Sequence, residues 1–153
     1  MHNSTSPNTF SGSSVLARLV LIAGDTLVFV FFAIQGRATH GLPLDTSPIL
    51  TVVVIAAPFA APWFVAAWLL GVYRGDLARR PIPLVTRTAI AWLVAGPIGL
   101  LLRAVLLQRA IPIPFAVTAI GINAALLLGW HLLYSLVAMR RTLRHIDGER
   151  SAR

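Results

Sequence analysis

The chain is 153 residues long, 57% hydrophobic and 12% charged, with a formal net charge of +8. Soluble domains carry roughly 25% charged and about 45–50% apolar residues, so a mean hydropathy of +0.79 excludes a water-soluble globular enzyme of this size. Cysteine is absent, which removes disulfides, thiolate nucleophiles, Cys metal sites and covalent haem attachment.

Residues 1–14 are rich in Ser, Thr, Asn and Pro and hold no Lys or Arg. They read as a disordered polar tail and not as the basic start of a signal peptide, so the first apolar segment is expected to be retained. Four apolar segments follow, at 15–35, 49–71, 84–107 and 115–139. Each is close to the roughly 20 residues that cross about 30 Å of hydrocarbon. The first carries Arg18 and Asp25, the second no charge, the third Arg87 and Arg103, and the fourth no formal charge apart from His131. Lipid obliges a span to satisfy its own backbone, and these runs are too long for barrel strands of about 9–11 residues. The expected fold is an all-α integral membrane four-helix bundle over residues 15–139. Residues 140–153 form a basic tail expected to meet anionic lipid, at about 1 kcal/mol per Arg near the surface.

Proline marks the connections. Pro43 and Pro48 bracket the first, Pro81 and Pro83 close the second, and Pro112 and Pro114 close the third. A proline at a helix start costs little, because its missing donor would be unpaired anyway. Pro58, Pro62 and Pro97 fall inside spans, where each frees a carbonyl and favours a kink.

All 13 basic residues are Arg. They flank the apolar segments and form no stripe on a folded domain, so nucleic acid is not an expected partner. With both termini and the second connection cytoplasmic, ten arginines lie on that side: Arg18, Arg74, Arg79, Arg80, Arg87, Arg140, Arg141, Arg144, Arg150 and Arg153. Arg37, Arg103 and Arg109 lie on the other. That bias predicts N-in/C-in.

Several short stretches together resemble one family. They are Gly24-Asp25, then Gly36-Arg37-Ala38-Thr39-His40-Gly41, Pro58-Phe59, Trp92, Gly96-Pro97-Ile98-Gly99-Leu100-Leu101-Leu102-Arg103, Phe115 and Leu128-Gly129-Trp130. Residues 16–140 are similar to the prokaryotic four-helix membrane proteins catalogued as domain of unknown function 3054. The resemblance implies four membrane helices and no activity. Two positions depart from it. Ala38 stands where the family pattern has a second Arg after Gly-Arg, and His131 stands where it has Arg after Gly-Trp.

The polar residues inside the spans are the functional candidates. A carboxylate at mid-bilayer costs about 2.5–3.5 kcal/mol on insertion scales, so Asp25 needs a partner, a proton or water. Counted inward from Arg37, Asp25 lies about 18 Å deep; Arg103 lies about 9 Å below Arg109 and Asn123 about 12 Å below Phe115. Helical side chains lean toward the N-terminus, which turns Arg103 toward Asp25. The expectation is a buried Asp25–Arg103–Asn123 cluster, with Arg37 and His40 in the first outer loop as an anion-attracting gate. His131, beside Trp130 and Tyr134, reads as an interfacial, snorkelling residue.

Ala56/Ala60 and Ala57/Ala61 make small-xxx-small pairs suited to close helix approach, and four short helices enclose little volume, which favours a homo-oligomer. Neither a metal nor a cofactor is expected. The chain has no His-Glu-x-x-His, no Gly-x-Ser-x-Gly and no Gly-rich phosphate loop. The leading reading is a small permease or channel-like protein using an Asp25–Arg103 pair. The alternative is a non-enzymatic scaffold or accessory subunit holding a lipid, quinone or pigment.

Overall fold

The computed structural model describes residues 10–40 and 47–151, with side chains from 15–36, 47, 49–142 and 144. Among the described residues the chain is all-helical: α1 (Phe10–His40), α2 (Pro48–Leu69), α3 (Pro81–Leu107) and α4 (Ile113–Ser151). Each contains a stretch long and apolar enough to cross a membrane: Val15–Gly36, Ile49–Leu69, Pro81–Leu107 and Ile113–Thr142. The protein is a multi-pass membrane protein.

Apolar composition marks where lipid ends, not where the helix ends. α1 begins at Phe10 and runs to His40, so Arg37 and His40 lie on its last turn and not in a loop. Their side chains fall outside the described ones, and the gate expected there is not addressed. No proline interrupts 36–40, and extending a formed helix is cheap compared with starting one. For the same reason α4 continues past Thr142 to Ser151, and residues 140–151 are helical instead of a separate tail. Arg, Leu and Glu in that stretch are good helix formers.

The helices pack in a ring, α1 on α2, α2 on α3, α3 on α4 and α4 on α1. Chain direction alternates. The start of α1, the α2–α3 connection and the end of α4 therefore share one end of the bundle. Side chains cross the diagonals: the Phe29 and Trp92 rings lie 6.2 Å apart, and those of Trp63 and His131 lie 6.1 Å apart. Outward faces are apolar, with Leu27, Val53, Leu93, Leu101 and Val117 all exposed to where lipid would lie.

Proline and glycine act as their chemistry dictates. Pro48 and Pro81 open α2 and α3. Both helices run unbroken through Pro58, Pro62 and Pro97. Pro62 removes the amide that would bond to the Pro58 carbonyl. That carbonyl faces Gly99 of α3, where a β-carbon would sit 3.1 Å from it and 2.6 Å from Cδ1 of Phe59. Glycine lets the two backbones close at that point. Gly71, at φ +66, ends α2 in a Schellman turn, with Gly71 N–H donating to the Trp68 carbonyl and Val72 N–H to the Ala67 carbonyl. The connection that follows folds inward. Val72, Tyr73, Leu77 and Ala78 are buried and stop that end of the bundle.

Candidate functional site

α4 presents one buried stripe at every fourth residue: Ala119, Asn123, Leu127, His131 and Ser135. Such spacing keeps residues on one helical face. Three of the five are polar, so this face carries polar groups into the bundle interior. Opposite it, α1 brings Asp25, fully buried.

Asp25 is held from three elements. Trp63 of α2 donates its indole N–H to Oδ2 at 2.9 Å, and the Tyr73 hydroxyl donates to the same oxygen at 2.6 Å. The latter length is typical of a hydroxyl bonding to an ionised acceptor. On the other side, His131 Nε2 lies 3.7 Å from Oδ1, and both side chains are wholly buried. The Trp63 ring backs His131 edge-on, and Trp92 in turn backs Trp63. Aromatic packing thus fixes both partners laterally.

The tautomer of His131 follows from its second contact. Nδ1 lies 2.9 Å from the Leu127 carbonyl one turn back. A carbonyl only accepts, so Nδ1 bears a hydrogen and donates it. A neutral ring then turns the Nε2 lone pair toward Oδ1. Neither Oδ1 nor Nε2 has a hydrogen-bond partner. Two unprotonated acceptors facing each other repel, and a proton on either one makes the contact attractive; at 3.7 Å it is a close approach and not a formed hydrogen bond.

Tyr73 is the member outside the membrane-spanning segments. Burial, and next the adjacent Asp25 carboxylate, push its hydroxyl well above the usual tyrosine range. It acts as a fixed donor and not as an acid.

The expected Asp25–Arg103–Asn123 cluster does not form. Arg103 lies about 33 Å into α3 from Pro81 at about 1.5 Å per residue, far from the Asp25 level, and its guanidinium sits 4.7 Å above the Phe115 ring. Asn123 is buried as expected but donates to the Ala119 carbonyl of its own helix, leaving its Oδ1 without a partner. His131 is a core residue and not an interfacial one. Measured from the other end the depths agree: Asp25 is about 15 Å from Val15 and His131 about 13 Å from Arg140. The fourfold spacing of Asn123, His131 and Ser135 was a legible signal for the polar face. Trp63 and Tyr73 carried none, because an indole and a phenol in apolar sequence read as core or interface.

Next to Asp25, Gly24 meets Trp130, whose indole occupies the space a β-carbon would take. The dipeptide Gly24-Asp25 of α1 therefore packs directly on Trp130-His131 of α4. The described residues hold no group of three or more His, Asp or Glu placed to bind a metal ion.

Neither curated proteins nor solved structures give a match to the chain. A family model does, over residues 22–134, and that stretch takes in Gly24, Asp25, Trp63, Tyr73, Trp130 and His131. The whole carboxylate–imidazole site lies within the matched region, and the chain belongs to the family described as "Protein of unknown function (DUF3054)".

Proposed function

We propose that the protein is a small permease or channel-like membrane protein that conducts protons, in which Asp25 and His131 hold one exchangeable proton. The observation that carries this reading is the pair of facing acceptors, Oδ1 and Nε2, 3.7 Å apart in a wholly buried setting. With one proton between them the pair is net neutral in either arrangement, as carboxylate with imidazolium or as acid with imidazole. A net-neutral pair is what low-dielectric surroundings tolerate, whereas a lone charge there costs several kcal/mol or about that order. Ionisable residues inside membrane helices mark proton relays and substrate paths.

Access is from the α2–α3 end. Tyr73 touches Asp25 on one side and lines a surface recess on the other. The arginine distribution supports a cytoplasmic placing of that end, with both termini on the same side. On this reading the protein performs no bond chemistry, and its basic C-terminal turns rest on anionic lipid.

Reconstituted liposomes with an internal pH dye and an imposed potassium diffusion potential test it. Wild-type protein is expected to carry protons several-fold faster than empty liposomes, and Asp25→Asn and His131→Phe to abolish the excess. Wild-type flux equal to that of empty liposomes rejects proton transport.

A second reading has its own support. Both donors to Oδ2 are rigid aromatic side chains from separate elements, which suits a permanent clasp joining α1, α2 and the connection. A clasp without flux fits a scaffold or accessory subunit, monomeric or oligomeric, that retains a lipid, quinone or pigment. Native mass spectrometry then finds a stoichiometric bound mass.

A further inference from the structure

The α2–α3 end carries a recess of about 110 Å³, lined by Arg18, Trp68, Gly71, Tyr73 and Arg74. A single water needs only roughly 10–15 Å³, so a polyatomic group fits. Arg18 reaches it from α1, Trp68 from the last turn of α2, and Arg74 from the turn that follows. Both arginines are exposed. Among the described residues the ion pair is that of Asp25 with His131, and neither Arg18 nor Arg74 meets a carboxylate.

A helix C-terminus by itself repels anions, with about half a negative charge on its free carbonyls. Here the carbonyls of Ala67, Trp68, Leu70 and Gly71 are occupied. The Schellman turn takes up Ala67 and Trp68, and Arg87 Nη1 lies 3.2 Å from the Leu70 carbonyl and 3.5 Å from that of Gly71. A third guanidinium thus neutralises the helix end beneath the recess. Gly71 has a second use. A β-carbon there would lie 2.8 Å from Cδ of Arg74, so glycine lets the Arg74 stem lie across the turn. Trp68 is 68% exposed at the end of a span, the depth at which indoles meet lipid headgroups.

We propose that this recess binds a phosphate-bearing anion, with Arg18 and Arg74 bonding to its oxygens and Trp68 covering its apolar side. Guanidinium forks approaching from two separate elements suit a tetrahedral phosphate, which offers oxygens in several directions, better than a planar carboxylate. A lipid phosphodiester and a free phosphate share this chemistry. The recess is the one through which the proposed function reaches Asp25, with Tyr73 as the common wall, but anion binding there does not depend on proton flux.

The test uses the full chain in non-ionic detergent at constant ionic strength. Inorganic phosphate and a short-chain phosphatidylglycerol are titrated separately, and the Trp68 signal is taken as the difference between wild type and Trp68→Phe. A saturable change is expected, weakened about tenfold by Arg18→Gln and by Arg74→Gln. Arg109→Gln, an exposed arginine at the opposite end of the bundle, is expected to bind like wild type. Saturation by both ligands supports a site open to free phosphate, and saturation by the lipid alone supports a headgroup site. Absence of saturation with either ligand overturns the proposal. So does an unchanged affinity in Arg18→Gln and Arg74→Gln, or an equal loss in Arg109→Gln.

Discussion

Gly24 and Trp130 interlock: the indole of Trp130 fills the volume that any side chain at Gly24 would need. This contact sets how closely α1 approaches α4 one residue before Asp25 and one before His131. Gly24→Ala is expected to push the helices apart and destabilise the protein by about 1–3 kcal/mol, the usual range for overpacking. Thermal unfolding in detergent measures it. Adding Trp130→Ala to Gly24→Ala should recover part of the loss, because the clash is removed; an additive loss would mean that the two residues do not share that space.

Three glycines of α3 and α4, Gly99, Gly121 and Gly129, give effects of opposite sign. Gly99→Ala places a β-carbon 3.1 Å from both the Pro58 carbonyl oxygen and Cα of Phe59, neither of which can yield easily. A loss of about 1–3 kcal/mol is expected. Gly121 and Gly129 have nothing within 4 Å of such a carbon. Gly121→Ala and Gly129→Ala are expected to be neutral or to stabilise by about 0.5–1 kcal/mol through helix propensity. Melting temperatures of the three single variants decide the matter, and a destabilised Gly121→Ala would show a helix partner on that face.

Asp25 separates polarity from charge. Asp25→Asn keeps an acceptor for Trp63 and Tyr73, whereas Asp25→Leu strands both donors and His131 in the interior. Stranding a buried partner costs about 3–5 kcal/mol. Chemical or thermal unfolding should therefore rank wild type above Asp25→Asn and that above Asp25→Leu. Equal stability of the two variants would show that Trp63 and Tyr73 gain little from this oxygen.

Tyr73 gives an alkaline signature. Its folded-state ionisation lies above the unfolded value of about 10. A group raised in this way contributes stability fully below the unfolded value and loses it as pH climbs toward the folded one. Wild-type protein should accordingly lose stability as pH rises above about 10, and Tyr73→Phe should lose less over the same interval. Tyrosinate absorbance offers a direct check: in folded protein at that pH, wild type and Tyr73→Phe should give the same absorbance change. A smaller change in the variant would mean that Tyr73 ionises freely.

The four helices and the burial of Asp25 and Asn123 are legible in the residues, because apolar runs of this length have one use and a mid-span carboxylate must face inward. The partner of Asp25 is not read correctly, and the reason is geometric. Counted from the outer end, Asp25 and Arg103 differ in depth by about 9 Å, and their pairing relied on the reach of the arginine side chain, which instead lies over the Phe115 ring. Depth measured from Val15 and Arg140 brings Asp25 and His131 level. Tyr73 escapes either count, since it belongs to a connection that folds back into the core, and only tertiary packing decides that a loop turns inward.

The separation of Asp25 and His131 along the chain bears on biosynthesis. At about 5–20 residues per second, the stretch between them takes roughly 5–20 s to make. Through that interval the first helix carries an acid whose closing partner has not left the ribosome. Trp63 and Tyr73 arrive earlier and supply two of its hydrogen bonds, so the first hairpin with its connection is a partly relieved intermediate. The last helix completes it, and a chain cut short before residue 131 releases a membrane segment with an unmatched carboxylate, a ready target for quality-control proteolysis.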